Sequence, residues 1–134
     1  MDLEKDPDEM YKLAKKIMSQ AYAPYSGYKV GAVIKDEHGN LHQGVNVENA
    51  AYTGSHGEYG AISAMLASMP QGKCITAVTI VTKDGGTPCG NCLQHIWQFC
   101  NGIWSVPIYC GDVFGKIKIF QIKELLPFPF DFEF

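Results

Sequence analysis

Two short segments limit the folds open to this chain more than any other feature. Ser55-His56-Gly57-Glu58 and Thr87-Pro88-Cys89-Gly90-Asn91-Cys92 supply one imidazole, two thiols, and a carboxylate two residues after the histidine. Cysteines three apart at a helix start place both sulfurs on one face. The free N–H groups and dipole of a helix N-terminus favour thiolate over thiol. A fold that uses all these groups must bring two helix beginnings to one point. Zinc is the ion such ligands suit, and three of them leave its fourth tetrahedral position to water, as in catalytic rather than structural sites. Glu58 beside that position is the proton carrier expected of a hydrolytic site.

Other uses of the same residues carry less. Ser55 and Glu58 fit a Ser-x-x-Glu capping box, but the cysteine motif gives Glu58 chemistry to do. Cys89 and Cys92 have the spacing of a redox pair, which has no use for His56 and Glu58. His95 would close the site as a fourth ligand and make it structural; it is expected not to. His38 and His42 flank a turn and are expected to be solvated. Cys74, Cys100 and Cys110 read as small buried hydrophobes.

The charge balance narrows the ligand. Net charge is −3, and all eleven basic residues are lysines, with no arginine. Polynucleotide binders draw most of their affinity from basic faces, and bidentate guanidinium recognition of phosphate is unavailable. An uncharged small substrate is expected, with neither nucleic acid nor membrane as partner. No window has the roughly 18 apolar residues of a membrane helix. The acidic start, Met-Asp-Leu-Glu-Lys-Asp, lacks a signal-peptide core. A cytoplasmic location with reduced thiols is therefore expected.

The 134 residues suit a single domain. Apolar residues from Met10 to Ala21 recur at helical spacing, predicting an amphipathic helix over 7–22. Strands are expected over 28–34 and 41–47, joined by a turn at Glu37-His38-Gly39-Asn40. A second helix is expected from Ser55 to about Met69. The β-branched run Ile75 to Thr82 is the strongest strand signal, dense enough to be covered on both faces. Thr87 as cap and Pro88 at the first position predict a third helix to about Cys100. Strands over 106–110 and 116–122 complete the order α-β-β-α-β-α-β-β. That order implies an α/β, three-layer α-β-α domain with a mixed five-stranded sheet. The Phe-rich tail, 128–134, alternates with period two and is expected to be a strand packed on the chain or on a partner.

His56-Gly57-Glu58 followed by Pro88-Cys89-Gly90-Asn91-Cys92 matches the H-x-E…P-C-x-x-C signature of zinc deaminases. With Tyr22-Ala23-Pro24-Tyr25-Ser26, Val30-Gly31-Ala32, Asn46-Val47-Glu48-Asn49-Ala50 and Glu124-Leu125-Leu126-Pro127 in order, the chain resembles the small cytidine deaminases over roughly residues 7–130. The resemblance implies hydrolytic deamination of cytidine and 2′-deoxycytidine in pyrimidine salvage. It implies zinc on His56, Cys89 and Cys92, with Glu58 as proton shuttle. Asn46 and Glu48 match the pair that binds the ribose hydroxyls. Tyr28 stands where the family commonly has phenylalanine against the pyrimidine. The backbone near Gly57 and Thr87 matches the segments that hold the base edge. Small family members are homotetramers, and Tyr52 and Phe130 match positions that reach across their interfaces.

Histidine at 56 and tyrosine at 59 depart from the family's short form, which commonly has cysteine and arginine there. Gly57 replaces its usual alanine, and the segment from Tyr52 to His56 looks a residue short. A related deaminase acting on a nucleoside antibiotic or a purine base is the nearest alternative. A non-catalytic zinc-stabilised binding module is the alternative from another class.

Overall fold

The computed structural model describes residues 6–131. Its elements are α1 (Asp6–Met18), β1 (Gly31–Asp36), β2 (Leu41–Val45), α2 (Gly57–Ala67), β3 (Ile75–Val81), α3 (Gly90–Gln98), β4 (Pro107–Gly111), β5 (Ile117–Gln121) and α4 (Ile122–Leu125). The sheet runs β2-β1-β3-β4-β5. Only β3 and β4 are parallel, joined by the crossover through α3; the other pairs are antiparallel. The mixed five-stranded sheet and the three layers are as the sequence predicts.

Side-chain alternation builds the layers. Val33, Ala77 and Val81 face α1, where they bury Met10, Tyr11 and Ala14. Ala32, Ile34, Val78 and Ile80 face the other way, against Ile62 and Met65 of α2 and Ile96 and Trp97 of α3. Strand β1 is buried along its whole length, and β3 everywhere except Thr76. A run apolar on both faces needs this double cover.

Helix α2 lies almost on the backbone of β2. A methyl group at Gly44 would overlap the Gly57 carbonyl and the Ala61 nitrogen. Only glycine allows that approach, which sets the height of α2 above the sheet. At Gly57 an added methyl would meet nothing nearer than 3.3 Å, from Val30, so the site of the family's usual alanine is tight but not closed.

Several element boundaries differ from expectation, each because long-range hydrogen bonds claim the backbone. Helix α1 ends at Met18; beyond it the Tyr22 N–H donates to the Asn46 carbonyl, and the Tyr22 carbonyl accepts from the Glu48 N–H. Strand β1 starts at Gly31, not Tyr28. The Asn46 amide accepts from the Val30 N–H and donates to the Tyr28 carbonyl, each at 2.8 Å, replacing a strand partner. Ser55 is held extended by paired bonds with Val47, so α2 begins at Gly57. Thr87 and Pro88 precede α3, whose cap is Cys89. The short α4 was not expected; its first turn is closed by the Glu124 carboxylate, which accepts from the Gln121 N–H.

One expectation about burial is overturned, and the tail departs from its expected strand. His42 is buried, 8% exposed, with its Nε2 2.7 Å from the Asp36 carboxylate. The tail at 128–131 is not a strand, and Phe128 and Phe130 are 93% and 73% exposed. The tail is instead pinned to α3: the Gln94 amide donates to the Phe130 carbonyl and accepts from its N–H, and Trp97 Nε1 donates to Asp131. The expected burial of Phe132 and Phe134 lies outside the described residues. Cys100 and Cys110 are buried as predicted, whereas Cys74 is half-buried.

Asp36 also accepts from the His38 and Asn40 N–H groups. Burial pushes its carboxyl up, but the His42 and backbone hydrogen bonds outweigh this and hold it below the usual carboxylate range. A depressed carboxyl stabilises above its unfolded value and stops doing so as pH falls through the folded one. Asp36→Asn should therefore cost roughly 1–3 kcal/mol at pH 7, and the gap to wild type should close in denaturant titrations run below about pH 4. Gly44→Ala should lower stability by about 3 kcal/mol, read by urea unfolding, because backbone rather than a side chain must move.

Candidate active site

The first residues of α2 and α3 come together at one end of the sheet. His56 and Cys89 are the respective N-caps, both with extended backbone, and neither side chain caps its own helix. The imidazole and thiol are thus free to face each other. His56 Nδ1 lies 3.4 Å from Cys89 Sγ and 3.1 Å from Cys92 Sγ. The three donor atoms all lie within 4.8 Å of one another, and they form the one such metal-type group among the described residues.

A tetrahedral zinc ion with bonds of about 2.05 Å to nitrogen and 2.3 Å to sulfur spaces those ligands by about 3.5 Å. The donor set fits. Burial, followed by the nearby Glu58 carboxylate and Cys89, pushes the Cys92 thiol well up. The protein alone therefore disfavours a thiolate there, and a divalent cation at the same spot offsets the penalty. His95 is not in the group. Burial holds its imidazole below the usual range, and its ring packs between Tyr59, at 4.2 Å, and Phe99, at 5.9 Å.

Glu58 sits in the first turn of α2, 4% exposed, and its carboxylate is one of the groups that raise the Cys92 thiol. The capping box does not form, since the helix starts after His56 and no side chain caps it. A buried carboxylate spared from capping can take and return protons. Tyr59 points elsewhere. It lines a second, smaller cavity with Asn91 and Gln94 of α3 and with Phe130. Burial first, then Cys92, Cys89 and Glu58, raise its phenol above the ordinary range.

A cavity of about 670 Å³ opens over Glu58, His56 and Cys89, within the range of small-molecule sites. Tyr28, Asn46, Glu48, Tyr52, Gly57 and Thr87 all border it. Phe130 does not; it lines the second cavity. The cavity lining has two carboxylates and no lysine, which suits an uncharged occupant.

Asn46 and Glu48 do more than the sequence suggests. Asn46 braces Tyr28 and Val30, as above. The Glu48 carboxylate accepts from the Tyr25 and Ser26 N–H groups and the Ser26 hydroxyl. The Ser26 hydroxyl and N–H, then the Tyr25 N–H, hold it below the usual carboxylate range despite some burial. Sequence reasoning missed Ser26, Thr82 and Asp84 as wall-building residues. Their signal is only a serine beside a turn and an Asp-Gly-Gly loop, which many surface turns share.

Residues 4–110 match the family described as the cytidine and deoxycytidylate deaminase zinc-binding region. The chain belongs to that family. It is 36% identical to the cytidine deaminase of Sporosarcina psychrophila, across 96% of this chain and 93% of that one. Against the cytidine deaminase of Halalkalibacterium halodurans it is 30% identical, over 96% of each chain. Among solved structures, cytidine deaminase from Burkholderia pseudomallei superposes with a TM-score of 0.82 at 29% identity, covering 97% of this chain and all of that one. Family and donor set agree on zinc. No helix among the described residues is long and apolar enough to cross a membrane.

Purified protein should hold one zinc ion per chain by plasma mass spectrometry. Cys92→Ser and His56→Ala should each lower the content by at least about tenfold. The chelated protein should keep its circular dichroism, because neither hydrophobic cluster includes His56, Cys89 or Cys92.

Proposed function

We propose that this chain deaminates cytidine and 2′-deoxycytidine hydrolytically, giving uridine and 2′-deoxyuridine with release of ammonia. One observation carries the proposal: a buried carboxylate, Glu58, adjoins a zinc-type His-Cys-Cys set whose His56 and Cys89 line a cavity with room for a nucleoside. The names of its relatives support the same substrate.

His56, Cys89 and Cys92 hold zinc, which when bound supplies the Lewis acidity that makes water nucleophilic near neutral pH. Glu58 takes a proton from the attacking water and passes it to the ring nitrogen. It carries a second proton to the amine as the C4–N bond breaks and the carbonyl forms. The backbone at Gly57 and Thr87 orients the base edge, and the Tyr28 ring packs against the pyrimidine. Asn46 and Glu48 bind the ribose hydroxyls with the hydrogen-bonding capacity left after bracing the 25–30 segment: Glu48 Oε1 already accepts two N–H bonds, but Oε2 accepts only from Ser26 and keeps a lone pair, and the Asn46 amide keeps one N–H and one lone pair.

The chain works as a single domain within a homotetramer, in cytoplasmic pyrimidine salvage. Tyr52, 93% exposed at the cavity rim with φ of 60°, and the exposed Phe130 are its contacts to neighbouring subunits. A left-handed tyrosine on a solvated rim is held at a cost that a subunit contact would explain.

Glu58→Gln is the deciding variant. It should retain zinc and lose turnover of cytidine by at least about a hundredfold, followed by ammonia release. Unchanged turnover would exclude Glu58 as shuttle. Activity on adenosine or free purine bases but not on cytidine would move the substrate to another deaminase class.

A further inference from the structure

The loop from β3 to the zinc-ligand helix is organised by one side chain. Asp84 Oδ1 accepts from the Thr82 hydroxyl at 3.1 Å and from the Gly86 N–H at 3.2 Å, while Thr82 Oγ1 accepts from the same N–H at 3.0 Å. Those bonds close the turn upon itself. Asp84 then makes a contact the turn does not need. The Tyr28 hydroxyl donates to it at 2.6 Å, across 56 residues of sequence.

The rest of the neighbourhood is fitted to that bond. A methyl on Gly86 would come within 3.0 Å of the Tyr28 hydroxyl oxygen, so glycine there leaves room for the phenol. The Tyr28 N–H donates to Ser26 Oγ, whose hydroxyl donates to Glu48. The Lys83 ammonium lies 5.5 Å from the Tyr28 ring centroid. Burial, then the Asp84 hydrogen bond, raises the Tyr28 phenol, while that bond is the chief cause holding Asp84 low. Donor and acceptor therefore keep their roles across neutral pH. A continuous chain of bonds runs from Glu48 through Ser26, Tyr28 and Asp84 to Thr82 and Gly86, three residues before Cys89.

We propose that Asp84 is a positioning residue: by gripping the Tyr28 hydroxyl it fixes the ring that packs on the base and ties that wall to the loop entering the zinc site. The proposal rests on the nucleoside assignment of the cavity. Because the bond lies at an exposed rim, its removal should register in substrate affinity more than in fold stability.

The test compares Tyr28→Phe, Asp84→Ala, Asp84→Asn and the double variant Tyr28→Phe/Asp84→Ala. KM and kcat for cytidine are measured beside zinc content and melting temperature. Tyr28→Phe and Asp84→Ala should each raise KM about fivefold, with a smaller effect on kcat. The double variant should be no worse than the poorer single. Asp84→Asn keeps an acceptor oxygen and should stay within about twofold of wild type. Zinc content should be unchanged in all four, and melting temperature unchanged in Tyr28→Phe and Asp84→Asn; the two variants with Asp84→Ala also lose the loop bonds to Thr82 and Gly86 and should melt slightly lower.

Unaltered KM in both single variants, multiplied effects in the double, or Asp84→Asn as impaired as Asp84→Ala would each overturn the proposal. If Asp84→Ala does not fold, Tyr28→Phe and Asp84→Asn decide the matter. Calorimetric affinity for cytidine, measured in a Glu58→Gln background, separates the two levels. No binding without the rim substitutions overturns the substrate assignment. Binding that the rim substitutions leave unchanged overturns only the role of Asp84.

Discussion

Two helices can offer their first residues to one ion only if the sheet fixes both at the right height. Here the sheet does so by different means. Helix α2 is seated on β2 where Gly44 has no side chain to hold it off. Helix α3 is placed by the crossover between the parallel strands β3 and β4 and packs through Leu93, Ile96 and Trp97 into the larger core. The caps His56 and Cys89 then face each other with no local hydrogen bond to satisfy. Apolar packing sets the positions, and the polar chemistry follows from them.

The cavity walls follow a second rule. Segments 22–30 and 46–55 are not regular strands, yet backbone groups of Tyr22, Ser26, Tyr28, Val30, Val47, Glu48 and Ser55 are satisfied by long-range pairs and by the side chains of Asn46, Glu48 and Ser26. Irregular backbone at a site must be held by such bonds, because an unpaired buried amide is costly. It follows that Asn46 and Glu48 cannot be treated as contacts to a ligand alone; each also shapes the wall it stands in. Substitutions there would mix lost contact with lost shape.

Much of this was legible in the sequence. The β-branched run at 75–82 announced the central strand, and alternation and helical spacing gave the layers. His56, Glu58, Cys89 and Cys92 were legible because ligand chemistry restricts residue type and spacing together. What escaped was set by distant partners. Tyr28 to Val30 has strand composition, but the Asn46 amide takes its hydrogen bonds. His42 beside a turn looks solvated until the sheet buries it against Asp36. The alternating phenylalanines of the tail read as a strand, yet Gln94 and Trp97 dictate the path at Phe130 and Asp131. Asp84 offered no local sign of its reach to Tyr28.

The central claim is an ion held by three protein groups, with its remaining position open beside Glu58. X-ray absorption at the zinc edge of the purified, metal-loaded protein tests it most directly. Two sulfur neighbours at about 2.3 Å and two light atoms at about 2.0 Å, with outer-shell scattering from a single imidazole, are the predicted result. A third sulfur or a second imidazole would fill the open position with protein and contradict the account.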